Sequence, residues 1–276
     1  MEEKLLFTAL ERRGVRYEAV DTRSLAVRLD EFRPPYRGAL SREISHYRAY
    51  YAACLLEHAG VPVVNPARTI RTCGDKLLTT LALRSAGLPT PPAMVALTPA
   101  AALSDLPAFG YPSVIKPLTG SWGRLAARVT DGEVAQAVIE HRAALPGAQS
   151  QITYVQRYVD KPGRDIRGLV AGDDVLGAIY RTSSHWRTST AHDSSAVSPC
   201  PVGEGLRKLL LATAGTIGPG VYGIDILEDR EGALYVNEVN HTPEFHGAIA
   251  VLGDQLVDRY LDFALEQLRD QGSGAG

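Results

Sequence analysis

The chain has 276 residues, of which 45% are hydrophobic, and its formal net charge is −2. This size allows a buried core, and the slightly acidic balance argues against a general nucleic-acid-binding protein, which would usually be basic. No apolar run approaches the roughly 20 residues that span a bilayer. Three cysteines lie far apart without a CxxC pair, which is typical of a reducing compartment. We therefore expect a cytoplasmic protein that binds neither membrane nor nucleic acid.

The first 73 residues alternate helical and strand patterns. Apolar spacing predicts a helix over 2–13, and the stretch VRYEAVD predicts a strand over 15–21. A second helix is predicted over 45–60, and a short buried strand over 61–65. This alternation predicts an N-terminal α/β domain over 1–73. Because such units normally open with a strand, the domain is expected to lack its first strand.

A proline-rich stretch after a helix predicted over 74–86 indicates a domain boundary. The remaining chain is expected to form two α+β subdomains, 74–150 and 151–270. Their predicted elements, in order, are a strand–glycine loop–strand unit over 110–131, a helix over 132–145, a strand over 152–160, a hairpin over 166–183, a polar loop over 187–204, a helix over 204–216, a hairpin over 220–240 and a helix over 256–270.

The last predicted hairpin carries the strongest chemical signal. Counting back from its turn places Asp225 opposite Glu238, and Asn240 shares the face of Glu238 because residues two apart point the same way. Facing carboxylates are destabilising unless a positive charge lies between them. These oxygen ligands suit magnesium. The alternatives are a solvated hairpin face, or zinc held by His241, Glu244 and His246, whose spacing matches no standard zinc motif.

Only five lysines occur in the chain, and two of them stand at promising places. Lys116 ends a predicted strand before a glycine-rich loop at 120–124, and Lys76 begins a helix. A lysine beside such a loop is a point charge suited to phosphate, although the pattern is neither a Walker A motif nor a Rossmann fingerprint. The alternative is a plain hairpin turn. Arg167 and Arg181 on neighbouring strands either clamp anions or form a surface ion-pair ladder.

These motifs occur in one order that resembles the ATP-grasp superfamily: Lys76, VIKP with its glycine loop, VQRYV, GRDIR, GIDIL and VNEVN. Within it the chain is similar to the RimK-like branch, above all to the LysX family of lysine-biosynthesis ligases and their glutamate-using relatives. The stretches GSWGRL and NEVNHTPEF are specific to that group. The resemblance covers residues 60 to 265 and implies an α/β (α+β) ATP-grasp fold, in which two α+β subdomains clasp ATP.

The resemblance also implies an activity. Members of this family use ATP and Mg2+ to join the α-amino group of 2-aminoadipate or glutamate to the C-terminal glutamate of a small acidic LysW-type carrier protein, through an acyl phosphate. ADP and phosphate are released, and a homo-oligomer is expected. Two alternatives stay open: a RimK-like ligase that adds amino acids to another protein or peptide, and a nucleotide-binding pseudoenzyme.

Roles for single residues follow from the matching motifs. The residues implied to bind ATP are Lys76, Lys116, Gly120, Ser121, Gly123, Gln156, Tyr158, Val159 and Asp160. The residues implied to bind magnesium are Asp225, Glu238 and Asn240. Those implied in catalysis are Arg167, Arg181 and Ser121, and those implied in substrate binding are Arg181, His185, Arg187, His192 and Asn240.

One loop departs from the family pattern. Relatives carry an asparagine and an arginine followed by glycines after the tryptophan, whereas this chain has the stretch STAHDS at 189–194. The fixed positive charge of that arginine is therefore expected to be either absent or replaced, by Arg187 or by a titrating His192.

Overall fold

The computed structural model describes residues 2–120, 123–188 and 196–273, with side chains to residue 270. Its helices are α1 (Glu2–Arg12), α2 (His46–His58), α3 (Ala67–Gly74), α4 (Lys76–Ser85), α5 (Pro99–Phe109), α6 (Gly132–Ala143), α7 (Glu204–Ile217), α8 (His246–Leu252) and α9 (Gln255–Ser273). Its strands are β1 (Ala39–Leu40), β2 (Val63–Val64), β3 (Ala93–Ala96), β4 (Ser113–Lys116), β5 (Ala127–Val129), β6 (Thr153–Arg157), β7 (Arg164–Ala171), β8 (Asp174–Thr182), β9 (Ala196–Pro199), β10 (Val221–Glu228) and β11 (Leu234–Asn240). Among the described helices, none combines the length and apolar character needed to span a bilayer.

The N-terminal domain contains a parallel pair of short strands, β1 and β2, and helices α2 and α3 pack beside them. Both predicted helices and the predicted strand at Val63–Val64 are confirmed. The strand predicted over 15–21 is wrong. That segment pairs with none of the described strands. Val15 is half-buried, and residues 16–21 are exposed. Its alternating pattern has no ladder partner, so the backbone stays irregular.

The helix predicted over 74–86 is shorter than expected, and a further helix precedes it. Asp75 separates α3 from α4, and its carboxylate accepts hydrogen bonds from the backbone N–H groups of Leu77 and Leu78. An aspartate in this N-cap position satisfies free donors of the helix that follows. The cap therefore fixes the start of α4 at Lys76.

A four-stranded antiparallel sheet has the order β3-β6-β4-β5, and α5 and α6 cover it. The predicted strand–loop–strand unit is confirmed by β4 and β5. The subdomain boundary was predicted at residue 150. Strand β6 lies between β3 and β4 in this sheet, so the ladder extends the central subdomain to Arg157. The segment 93–109, which forms β3 and α5, had no prediction.

A five-stranded antiparallel sheet has the order β11-β10-β7-β8-β9. Both predicted hairpins are confirmed, and α7 packs on one face while α1, α8 and α9 pack on the other. The predicted loop over 187–204 contains an edge strand, β9, which pairs with β8. Its residues are mostly exposed, so the strand lacks the apolar alternation that would have predicted it. Residues 189–195 lie outside the described part of the chain.

One face of this sheet changes character along its strands. Leu169, Ala171 and Val221 lie in the apolar core beneath α9. Residues two apart on a strand share a face, so Arg167 and Asp225 continue the same face beyond that core. The face therefore runs from apolar packing into a row of charges, and that row lies in a cleft.

Candidate active site

The cleft lies between the four-stranded and five-stranded sheets. Among the described residues, eight lysines and arginines and four acidic residues line it, so its charge suits an anionic ligand. The predicted residues in the lining are Lys76, Lys116, Gly120, Gly123, Gln156, Tyr158, Val159, Arg167, Arg181, Arg187, Asp225, Glu238 and Asn240.

A first row of charges crosses three strands at the floor of the cleft. Asp225 on β10 pairs in register with Glu238 on β11 and with Arg167 on β7. The predicted juxtaposition of the two carboxylates is thus confirmed. The Arg167 guanidinium donates to both oxygens of Asp225, through Nε and through Nη2 at 3.1 Å. Alternating charges on neighbouring strands support one another, and the arginine offsets the repulsion between the two acids.

A second row begins one pleat further along β7. Arg181 donates to both oxygens of Asp165, at 2.7 and 2.9 Å, and its Nη2 also lies 3.0 Å from Asp225. The hydroxyl of Thr188 donates to Asp165 as well. Lys161 closes the row, because its Nζ donates to the Thr188 hydroxyl at 3.0 Å. Of the described cleft residues, sequence reasoning missed the roles of Asp165, Thr188 and Lys161.

Burial would raise the pKa of Asp225, but the guanidinium groups of Arg167 and Arg181 outweigh it and hold that pKa below its usual value. Burial would lower the pKa of Arg181, yet Asp225 and Asp165 raise it. Asp225 is therefore ionised in this network, and Arg181 remains a cation.

Lys116 bridges the two sheets across the cleft. Its Nζ donates to Oε1 of Gln156 at 2.5 Å and to Oδ1 of Asn237 at 2.8 Å. Burial lowers its pKa to about 8, although the charge of Glu238 opposes this shift. Lys76 donates to the carbonyl of Gly120 at 2.8 Å, and its Nζ lies 3.5 Å from Glu238. Both lysines predicted for phosphate thus line the same cleft.

The segment after β6 joins the two sheets at the back of the cleft. Gln156 is 3% exposed, and its Nε2 donates to the hydroxyl of Tyr154. The ring of Tyr158 lies under the guanidinium of Arg128, 4.1 Å from its centroid. Asp160, which the resemblance implies in ATP binding, is not in the lining, and its carboxylate pairs with Arg230 at 2.6 Å at the surface.

Two glycines of the loop after β4 have positive φ, with Gly120 at 122° and Gly123 at 63°. A side chain would strain either position, so glycine is needed for this turn. Arg187 donates to the carbonyl of Gly123 at 3.4 Å and connects this loop with the segment before β9. Ser121 and His192 lie outside the described residues. His185 is described but is not in the lining.

A histidine pair lines the end of the cleft next to the N-terminal domain. The His46 ring lies against Gly74, where a Cβ would come 1.8 Å from Nδ1, and 6.4 Å from the ring of His241. Burial lowers the pKa of both, that of His241 to about 4. The zinc alternative is wrong for the described residues, which contain no group of three His, Cys, Asp or Glu side chains that could hold a metal.

The donor set suits magnesium better than zinc. Glu238 has no hydrogen bond among the described contacts and is one-quarter exposed to the cleft, so its carboxylate oxygens are open to a cation. The Nδ2 group of Asn240 donates to the carbonyl of Gly223 at 3.2 Å, which leaves Oδ1 as a ligand. Asp225 is already shared by two arginines. Hard oxygens that still need a partner, in a cleft lined by Lys76 and Lys116, fit a hydrated magnesium ion.

Two antiparallel sheets that face each other across such a cleft define the ATP-grasp class of ligases. Residues 1–72 match the LysX preATP-grasp domain family, and residues 73–261 match the RimK-like ATP-grasp domain family. The chain therefore belongs to the RimK-like ATP-grasp family, and the predicted resemblance, fold class and enzyme class are confirmed.

Relatives within the family resemble the chain over most of its length. The glutamate–LysW ligase ArgX of Sulfolobus acidocaldarius is 35% identical over 89% of this chain and 88% of its own. The α-aminoadipate–LysW ligase LysX of Saccharolobus solfataricus is 38% identical over 77% of each chain. The solved structure of a RimK domain ATP-grasp protein from Sphaerobacter thermophilus aligns with a TM-score of 0.80 at 28% identity, over 96% of each chain.

Proposed function

We propose that this protein is an ATP- and Mg2+-dependent, ADP-forming ligase that joins the α-amino group of 2-aminoadipate or glutamate to the C-terminal glutamate of a LysW-type carrier protein. One observation carries the proposal: a cationic cleft that holds a carboxylate pair, Asp225 and Glu238, in a chain whose relatives at 35% and 38% identity are named LysW ligases. The acidic carrier also suits the excess of basic residues around the cleft.

The chemistry requires activation of a carboxylate. The oxygen of the carrier's carboxylate attacks the γ-phosphorus of ATP, and ADP leaves, which gives an acyl phosphate. The amine then attacks the acyl carbon, phosphate leaves, and the nitrogen loses its proton. In this proposal Lys76 and Lys116 hold the phosphates by charge, and Arg167 and Arg181 lie where charge develops on the transferred group.

The magnesium ligands in this proposal are Asp225, Glu238 and Asn240. Bound Mg2+ would neutralise charge on the transferring phosphoryl group. Gln156, Tyr158 and Val159 form the adenine end of the cleft, and the glycine loop excludes water from the acyl phosphate. Ser121 and His192 stay predictions for the phosphate and substrate ends, respectively.

Three further expectations accompany the proposal. We propose domain limits at 1–73, 74–157 and 158–270, supported by the sheet pairings and by the family matches. We also propose that the protein forms a homo-oligomer and acts in the cytoplasm. The cysteines Cys54, Cys73 and Cys200 are all free, which is in keeping with a reducing compartment.

The test supplies Mg-ATP, glutamate or 2-aminoadipate, and a carrier that ends in glutamate. We expect ADP release together with a carrier whose mass has grown by one amino-acid residue. A carrier without its last glutamate should release no ADP. If free glutamate replaces the carrier equally well, the carrier proposal is wrong. If neither the carrier nor free glutamate supports ADP release with either amino acid, the ligase proposal itself fails.

Glu238→Gln is the matched inactive variant for this assay. It keeps the shape of the side chain but removes a negative ligand, so ADP formation should fall more than about 100-fold, since even outer-shell partners of a metal cost 10–100-fold. Glu204→Gln removes an exposed glutamate at the start of α7 and should retain the activity of the parent. Full turnover by Glu238→Gln would contradict the metal assignment.

A further inference from the structure

Lys161 is a cleft residue to which no motif gives a role. It lies between β6 and β7 and lines the cavity. Its Nζ donates one hydrogen bond, to the hydroxyl of Thr188 at 3.0 Å. Within the described part of the chain, no carboxylate forms an ion pair with it.

The described contacts of this ammonium group leave most of its hydrogen-bonding capacity unused. A lysine carries three donors, and the described contacts of Lys161 use one. Asp165, the nearest acid along the row, already accepts two hydrogen bonds from Arg181 and one from Thr188. Burial lowers the pKa of Lys161, and the charge of Asp165 opposes this only in part. A half-buried cation without its own counterion is costly unless an anionic ligand completes the site.

The charges of the row indicate where that anion would lie. In the second row, Lys161 and Arg181 supply two positive charges, whereas Asp165 supplies one negative charge. The excess of one positive charge is at Lys161, at the end of the row opposite Asp225. A ligand group that meets Lys161 and Arg181 at once, on the cleft side of Asp225, must carry several negatively charged oxygens.

We infer that the Lys161 ammonium is a further catalytic group, which holds oxygens of the transferred phosphoryl group, first as the γ-phosphate of ATP and then as the acyl phosphate. This inference rests on the proposed ligase reaction. A lysine suits this role because a compact point charge on a flexible stem can follow the phosphoryl group as it moves from ADP to the carboxylate. Thr188 keeps the stem in place between turnovers.

The test compares two nucleotides that differ by the γ-phosphate. Binding of the Mg2+ complexes of adenylyl imidodiphosphate and of ADP is measured by calorimetry for the parent and for Lys161→Met. A hydrogen bond to a charged group is worth about 1.5–3 kcal/mol, so the variant should bind the triphosphate analogue about 10- to 100-fold more weakly. Its affinity for ADP should change less than about threefold. Lys161→Arg should recover most of the lost affinity.

Two controls separate this role from a structural one. Lys208→Met removes an exposed lysine of α7 and should bind both nucleotides like the parent. Thr188→Val removes the hydrogen bond to Lys161 but leaves the ammonium, so it should retain most of the preference for the triphosphate. The inference is overturned if Lys161→Met loses both nucleotides equally or neither, or if Thr188→Val matches it. Ligation by the parent reports separately on the proposed function, since nucleotide binding needs no carrier.

Discussion

Lys116 and Lys76 differ in the groups that surround their ammonium groups. Its ammonium lies between two amide oxygens, whereas Lys76 lies 3.5 Å from the Glu238 carboxylate. Burial without a carboxylate in direct contact lowers the pKa of Lys116 to about 8. The free protein therefore loses this charge as the pH rises through that value. If Lys116 binds phosphate, the loss of charge appears as weaker binding of Mg-ATP.

Binding of Mg-ATP should weaken as the pH rises from 7 to 9. A bound phosphate favours the ammonium and raises the pKa of Lys116, so binding takes up a proton between the free and the bound pKa values. Calorimetry at pH 8.5 in two buffers of different ionisation enthalpy measures this uptake. Lys116→Arg should remove both the proton uptake and the alkaline loss, because arginine stays charged.

Lys161→Arg is the control for this experiment, because burial lowers the pKa of Lys161 too. It should retain most of the alkaline loss. If the parent takes up no proton at pH 8.5, or if Lys161→Arg alone flattens the profile, the assignment to Lys116 is wrong.

The residues of this site were predictable only in part, for a local reason. Counting back from the hairpin turn placed Asp225 opposite Glu238, and the structure agrees. A register shift between Asp225 and Ile226 then leaves Asn237 without a partner on β10, so Asn237 and its neighbour Glu238 both line the cleft. Periodicity of two cannot predict a bulge, because the irregularity depends on the partner strand. The roles of Lys161 and Thr188 depend on a contact between segments 27 residues apart.

At the scale of elements, helix α7 and strand β7 set the position of the charged rows. Gly168 lies between Arg167 and Leu169 on β7, and a Cβ there would come 2.4 Å from the side chain of Leu210 on α7. The close approach of helix to sheet therefore requires a glycine at this position. Because Arg167 is the next residue, any shift of β7 also moves its contact with Asp225.

Gly168→Ala should destabilise the protein by about 1–3 kcal/mol, the usual cost of overpacking a core. Gly215→Ala is the matched control, since Gly215 lies within α7 and has nothing within 4 Å of its added Cβ. That variant should gain about 0.5–1 kcal/mol from helix propensity. Chemical denaturation of both variants measures the difference. Equal stabilities would show that Leu210 moves aside without cost.

Elements with their own periodicity and caps were predicted well, and those defined by a neighbour were not. The hairpin β7–β8 is buried along most of both strands and turns at Gly172. Edge strand β9 is mostly exposed and is a strand only because β8 supplies hydrogen bonds. The segment 15–21 is the reverse case, in which an alternating pattern finds no strand to pair with.

At the scale of the whole molecule, hydrogen bonds attach the N-terminal domain to residues 241–246. This loop directly follows β11, which carries the proposed magnesium ligands Glu238 and Asn240. The Asn65 side chain donates to the carbonyls of Val221 at 2.8 Å and of His241 at 2.6 Å, and accepts from the Val221 N–H at 2.7 Å. Glu2 accepts from the backbone N–H groups of Phe245 and His246. These contacts hold residues 241–246 from both sides, directly after Asn240.

Asn65→Ala should therefore affect stability and the active site together. The variant loses three hydrogen bonds and leaves the buried backbone groups of Val221 and the half-buried carbonyl of His241 unpaired, which should cost about 3 kcal/mol or more. Because His241 follows Asn240, looser anchoring of this loop should also weaken Mg-ATP binding. Thr72→Ala is the control, since the Thr72 hydroxyl donates only to the Arg68 carbonyl of its own helix. Denaturation and nucleotide calorimetry on both variants decide the matter. If Asn65→Ala loses stability but binds Mg-ATP like the parent, the contacts of Asn65 contribute to the stability of the fold only. The anchoring of residues 241–246 then has no effect on nucleotide binding.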